Sequence, residues 1–299
     1  MRLSVRCPSS LIHLFGSASF LILALAACGH SAKKGPVEKA EAPPTDFTIP
    51  KADPNALSEA QEASVEVLYE HAFKFLKQRR FQEAAGAFDA VEREHPYSIW
   101  ARRSMLMSAY AHYQSNEYDE AISAADRFIE LHPGNKDAPY AYYLKAMCNY
   151  EQVQDVARDQ QKTIDAMNAL QDVLRRFPET EYARDSQLKL DLTRDQLAGR
   201  EMSVGRYYEH RHEYVAAIGR FRTVIEIYQT TSHVPEALHR LVESYYALRL
   251  DGEAQAAAAV LGYNYPGSDW YKDSYRLLTS HGLKPKEQPD SWLTKTIKR

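Results

Sequence analysis

One spacing constrains this chain more than any other: alanine recurs twelve residues before each of five similar chain breaks. Four breaks are Glu94, His95, Pro96; Leu131, His132, Pro133; Arg176, Phe177, Pro178; and Asn264, Tyr265, Pro266. The fifth is Ile227, Tyr228, Gln229, where glutamine stands for proline. Counting back twelve from positions 96, 133, 178, 229 and 266 gives Ala84, Ala121, Ala166, Ala217 and Ala254. Eight back are Phe88, Ala125, Leu170, Phe221 and Ala258, and five back are Val91, Phe128, Val173, Val224 and Leu261. These three offsets mark one apolar helical face, repeated five times at intervals of 37, 45, 51 and 37 residues.

A unit of this length holds two helices, and one hairpin alone cannot cover its apolar face. Stacking neighbours in register buries it as a continuous core. The small residue belongs where the two helices cross most closely, and the proline stops the second helix by pushing the preceding residue out of the helical region. The offsets fit the tetratricopeptide pattern, so the expected fold is all-α, a solenoid of five such hairpins. Phe75, Tyr208 and Tyr245, twenty-one residues before their breaks, fill the first helices of repeats one, four and five; repeat two has His112 there. The 45-residue interval contains the polar stretch from Glu151 to Thr163, which lengthens a helix or a loop of the third repeat. The 51-residue interval contains a charged stretch from Ala183 to Glu209 that reads as one or two long helices joining repeats three and four. They divide the solenoid into an amino-terminal half, 57–182, and a carboxy-terminal half, 183–280. Residues 281–299, with Pro285, Pro289, Lys295, Lys298 and Arg299, read as a loose tail.

The amino terminus sets the compartment. Arg2 and Arg6 precede an uncharged run from Leu11 to Ala27 that ends in small residues and lacks a basic stop-transfer flank. Residues 1–27 therefore read as a cleaved signal peptide. The junction Leu25, Ala26, Ala27, Cys28 resembles the lipobox of bacterial lipoproteins, in which the cysteine sulfur carries the lipid. Two or three acyl chains suffice for stable anchoring. By the same resemblance, Gly29 in place of aspartate implies sorting to the outer membrane, periplasmic face. Residues 28–56, with Pro36, Pro43, Pro44, Pro50 and Pro54 and little to bury, read as a flexible tether. Cleavage removes Cys7 and acylation uses Cys28, which leaves Cys148 as the one thiol, expected to be buried.

The formal charge of -3 gives no basic excess for a phosphate backbone, which argues against nucleic-acid binding. No cofactor is implied: phosphate-binding glycine loops, nucleophile elbows and metalloprotease helices are all missing from the sequence. His210 and His212 flank Arg211. Residues two apart on a helix do not share a face, so they make a poor metal pair, and no metal site is expected. Glu243 and Ser244 match the glutamate and serine pair of lytic transglycosylases, a peptidoglycan-cleaving alternative. The glycine-rich loops that should surround such a glutamate are missing, so a catalytic role is not expected. The 20 tyrosines against 10 phenylalanines suit a surface that binds extended protein. Tyr110, Tyr113, Tyr142, Tyr143 and Tyr150 gather on the first helices of repeats two and three. They are candidates both for a concave groove and for helix packing.

Three segments carry a closer resemblance: Glu94 to Tyr97; Asp126 to Ile129 with His132 and Pro133; and Ser203 to Tyr208 leading to Ala216, Ala217, Ile218, Gly219 and Arg220. Over roughly residues 60 to 280 the chain resembles the BamD (ComL) family of outer membrane assembly lipoproteins. The resemblance implies five repeats and a non-catalytic scaffold of the β-barrel assembly (BAM) complex. It further implies partners: the periplasmic POTRA domains of a BamA-type barrel protein, other BAM lipoproteins, and unfolded outer-membrane proteins. The family's arginine toward BamA falls on Arg220, and its substrate groove falls on Pro96, Tyr97, Trp100 and Tyr110, with Tyr113 beside them. Where some members have tyrosine just before the proline, this chain has His95, so a hydroxyl role does not carry over. A tetratricopeptide lipoprotein coordinating cell-envelope division shares the same architecture and anchor.

Overall fold

A computed structural model describes residues 59–293, with side chains from residue 64 onward. The signal peptide, Cys28 and the whole tether lie outside the described residues. Eleven helices, and no strand, occur among those described. They pair as α1 (Glu59–Lys77) with α2 (Phe81–Glu94), α3 (Ile99–Gln114) with α4 (Tyr118–Leu131), and α5 (Ala138–Glu151) with α6 (Gln161–Arg176). Then come α7 (Glu181–His210) with α8 (Tyr214–Ile227), α9 (Val234–Ala247) with α10 (Asp251–Asn264), and a single α11 (Asp269–Ser280). The five hairpins fall where the five breaks placed them.

All fifteen side chains at the three offsets are buried. The five alanines are completely covered, as a close crossing requires. Each second helix ends at the residue before the break: His95, His132, Phe177, Tyr228 and Tyr265 all leave the helical region, with φ between -116° and -135°. Tyr228 does so without a following proline. Its amide still bonds to the carbonyl of Val224, as the other four bond four residues back, so packing fixes the stop and proline reinforces it. Ser98, Thr180 and Ser268 then cap α3, α7 and α11 through their side chains, and Pro139 and Pro235 sit in the first turns of α5 and α9.

The turns inside the hairpins have a second device in common. Arg79, Asn116, His212 and Arg249 adopt positive φ near 60°, one in each of repeats one, two, four and five. Each lets the next amide reach back to Phe75, His112, Tyr208 or Tyr245, the residues at the twenty-one offset. Repeat three has no such turn. Its polar stretch is a loop, residues 152–160, and the loop lies along α7: Gln196 donates to the Gln154 carbonyl at 2.7 Å. First helices of successive repeats touch, α1 with α3, α3 with α5 and α5 with α7, and α11 packs on α9 in the same way. This last helix is therefore the first half of an unfinished sixth repeat, the cap that the open end of a solenoid needs.

Two expectations need correction. The charged stretch from Ala183 to Glu209 lies in one helix, α7, which is not a separate joining element: it is the first helix of repeat four, long enough to pack on both α6 and α8. The tail is not loose over residues 284–293. Gln255 and the backbone of Lys284 and Lys286 bond to each other, and Ser291 donates to Glu253. Trp292 Nε1 donates to the Tyr245 hydroxyl at 2.8 Å, with the Arg222 guanidinium over its ring at 4.1 Å, while Leu293 is buried. These two apolar side chains, twelve and thirteen residues beyond the end of α11, join the core of repeats four and five.

Candidate functional site

Arg220 stands on the outward side of α8. It keeps 46 % of its side-chain surface and makes one contact: Nη1 lies 3.2 Å from Glu201 Oε2 of α7. Glu201, 20 % exposed, is the more enclosed partner. Among the described residues, Nε and Nη2 of Arg220 make no hydrogen bond, so half the guanidinium fork remains open to a second carboxylate. Val215, 74 % exposed, and Ile227, 63 % exposed, lie on the same outer surface, with Gly219 between them in sequence.

The segment Ser203 to Tyr208 is chiefly a packing device. Gly205 admits the ring of Phe221, and Met202 is fully buried. Arg206 Nη1 holds both oxygens of Glu236, at 2.9 and 3.1 Å. Glu236 belongs to a polar cluster between α7 and α9 that the sequence spacing does not disclose. Arg240 lies within 3.5 Å of Glu209, Glu236 and Glu243. Burial pushes the Glu209 carboxyl up to about 7 despite Arg240 beside it. Glu243 behaves oppositely: burial opposes its ionisation, but His239 and Arg240 outweigh it and hold the group below its ordinary value. A carboxylate held below its ordinary value by the Arg240 guanidinium and the His239 ring is ill suited to donate a proton, and Ser244 beside it is fully buried.

At the junction of repeats one and two, Pro96 and Tyr97 are exposed, Tyr97 by 75 %. Trp100 is half-buried, its ring 4.9 Å from that of Tyr69 and beneath the Arg103 guanidinium at 4.7 Å. Tyr110 is half-buried and its hydroxyl accepts from Gln114. Trp100 and Tyr110 border one apolar cluster, built on Tyr69, Phe88 and Met107. Tyr113 does not belong with them. It is fully buried and its hydroxyl donates to Glu151 Oε1 at 3.3 Å, so it packs repeats two and three and lines no groove. Tyr143 and Tyr150 are buried as well, and Tyr143 donates to Asp185 at 2.6 Å. Of the five gathered tyrosines, only Tyr110 and Tyr142 keep a partly open ring. A tyrosine on a helix reads the same whether its hydroxyl meets water or an acid on the next repeat, so sequence alone does not separate the two uses.

Cys148 is buried and its thiol is pushed far up by burial, the inert state expected of it. His210 and His212 are exposed at the end of α7, where His212 occupies the left-handed turn position. Among the described residues no group of His, Cys, Asp or Glu is placed to hold a metal ion, and no helix is long and apolar enough to cross a membrane.

Comparison with known proteins places this geometry. Residues 61–261 match the family model YfiO, described as an outer membrane lipoprotein. The outer membrane protein assembly factor BamD of Caulobacter vibrioides is 55 % identical over 229 residues, 77 % of this chain and 75 % of that protein. The BamD of Rickettsia prowazekii is 44 % identical over 73 % of this chain and 87 % of its own length. That of Neisseria meningitidis is 34 % identical over 72 % and 85 %. With α2 to α9 and most of α1 and α10 inside the matched span, and this identity sustained across most of both chains, the protein belongs to the YfiO family of outer membrane lipoproteins, that of the BamD assembly factors.

Proposed function

We propose that the protein is a non-catalytic scaffold of the outer membrane barrel-assembly complex, held on the periplasmic face by acyl chains on Cys28. In this reading the outer face of α8 meets the periplasmic POTRA domains of a BamA-type barrel protein, with Arg220 taking a partner carboxylate. The open rings at the junction of repeats one and two, Tyr97, Trp100 and Tyr110 beside Pro96, receive unfolded outer-membrane proteins. Other lipoproteins of the complex dock elsewhere on the solenoid.

The observation that carries the reading is the half-open Arg220 fork on a well-exposed helix inside the family-matched span. An arginine bound through one nitrogen is already oriented by Glu201, so a second acid meets a preorganised donor. Capture from detergent-solubilised envelopes tests it. Arg220→Glu is expected to reduce recovery of the barrel protein while the chain remains folded by circular dichroism. Unchanged recovery rejects the assigned contact. Intact-mass measurement of the mature chain tests the anchor: an unacylated amino terminus at residue 28, or a retained signal peptide, rejects it.

A further inference from the structure

Of the five helical glycines in repeats four and five, Gly199 would bring a methyl within 3.2 Å of His233 and Gly252 sits in the first turn of α10, while the other three differ in a telling way. A methyl at Gly205 would lie 2.4 Å from the Phe221 ring, and one at Gly262 would lie 2.5 Å from the Tyr271 ring, so the fold itself requires glycine at both. A methyl at Gly219 would meet nothing within 4 Å. Gly219 lies in the middle of α8 on its exposed side, where glycine costs helix stability relative to alanine and no packing inside the chain offsets the cost. At about 100° per residue, Val215, Gly219, Ile227 and Arg220 fall within about 140° of the helix circumference. The methyl-free surface at Gly219, whose carbonyl accepts from the Thr223 hydroxyl at 3.1 Å, thus shares its side of α8 with two exposed apolar side chains and the open half of the Arg220 fork.

We infer that Gly219 is the point of closest approach of the partner on α8. A main-chain segment of the partner lies against the bare helix there, one of its carboxylates reaches Nε and Nη2 of Arg220, and its apolar side chains cover Val215 and Ile227. Charge complementarity selects the occupant: the open cation on this face calls for an acid. Glu201 is a positioning residue, since it fixes Nη1 and leaves the rest of the fork for the partner. The inference rests on the reading of the α8 face proposed above. Gly86 of α2 provides the contrast. It too is exposed and meets nothing within 4 Å, but α2 carries no large exposed apolar residue.

The test uses the full mature chain and the intact barrel partner in detergent, with affinity and thermal unfolding measured on each variant. Gly219→Ala is expected to raise the unfolding midpoint of the chain alone, since the added methyl has open space, yet to weaken partner binding. Gly219→Leu is expected to weaken binding about tenfold or more with the fold retained. Glu201→Gln is expected to weaken binding in the parent and to have no further effect in Arg220→Lys. Gly86→Leu is expected to leave binding as it is. A stabilised chain that binds less well is an outcome no purely structural role for Gly219 produces. If Arg220→Glu abolishes binding while both Gly219 variants bind like the parent, the close approach is wrong and the Arg220 contact stands. If Arg220→Glu also binds like the parent, the reading of the α8 face falls and the inference falls with it.

Discussion

Gly205 of α7 and the ring of Phe221 of α8 occupy one space between them, since a methyl at 205 would come within 2.4 Å of Cε1. Phe221 is fully buried and has nowhere to turn. Gly205→Ala is therefore expected to destabilise the chain by about 1–3 kcal/mol through overpacking, despite the better helix propensity of alanine. Denaturant unfolding checks it. A Phe221→Leu change in the same background should return part of the loss, whereas an unchanged midpoint in Gly205→Ala would show that the ring has room.

The crossing alanines make the same argument at the level of the repeat. Ala121 is fully buried where α4 crosses α3, so Ala121→Leu is expected to cost about 1–3 kcal/mol. Ala216, four residues before Arg220 on the exposed side of α8, has no such crossing over it, and Ala216→Leu is expected to leave stability within about 0.5 kcal/mol. Equal losses at both positions would mean that the twelve-residue offset does not mark the crossing.

What the sequence discloses and what it hides follows from how local each cause is. The five hairpins are legible because one apolar face per helix, at fixed offsets from a break, is a local pattern, and burial of Ala84 through Ala254 repeats it without exception. The length of α7 is legible as a gap, and Tyr208 places its last turns in repeat four, but that the same helix runs back to pack on α6 is not legible, because charged residues on a helix do not announce which neighbour they face. Trp292 finding Tyr245 spans 47 residues, and Glu209 meeting Arg240 joins two helices of different repeats. Neither pairing leaves a periodic trace. Tyr113 misleads for a related reason: its acceptor Glu151 sits 38 residues away, so an aromatic that packs repeats together reads like one that awaits a ligand.

The docked carboxy-terminal segment gives a third prediction. Trp292 joins a hydrogen bond to Tyr245, a stacked Arg222 and burial beside repeat five, in a segment beyond the family-matched residues 61–261. Trp292→Ala is expected to cost about 1–3 kcal/mol, less than a fully buried tryptophan, because the ring is only partly covered. Limited proteolysis should then cut between residues 281 and 293 faster than in the parent. Equal cutting rates would mean that the segment is not held by this side chain.

His112 ties repeats one and two together in a pH-dependent way. Its Nδ1 lies 2.8 Å from Glu117 of the following turn and its Nε2 lies 3.5 Å from Asp89 of α2. Asp89 also accepts from Ser108, and Gln82 donates to Glu117. Hydrogen bonding to Asp89 raises the imidazole above its ordinary value of 6.5, against burial and with help from Glu117. A histidine held more tightly protonated in the folded state gives stability that is fully present below 6.5 and is lost as pH rises through the raised value. His112→Gln is expected to cost about 1 kcal/mol at pH 6 and less at pH 9. A cost that does not change with pH would assign the residue to packing alone, as with the aromatic rings at its place in the other repeats.

Glu209 should report on the carboxy-terminal repeats over a different window. Burial is the largest influence on its carboxyl and raises it from 4.5 to about 7, while Arg240 pulls it down and Glu243 pushes it up. A carboxyl raised on folding binds its proton more tightly in the folded state, so stability falls as pH climbs from about 4.5 to about 7 and then levels off. Glutamine imitates the protonated form and removes that slope. Glu209→Gln is therefore expected to unfold like the parent near pH 4.5 and to be more stable by on the order of 1 kcal/mol at pH 8. The pH dependence that Glu209 contributes lies between about 4.5 and 7 and that of His112 lies above 6.5, so the two variants act over largely different windows in one set of denaturation curves. If Glu209→Gln is instead the weaker protein at pH 8, the contact with Arg240 outweighs burial, and the charged cluster between α7 and α9 is a net stabilising bridge.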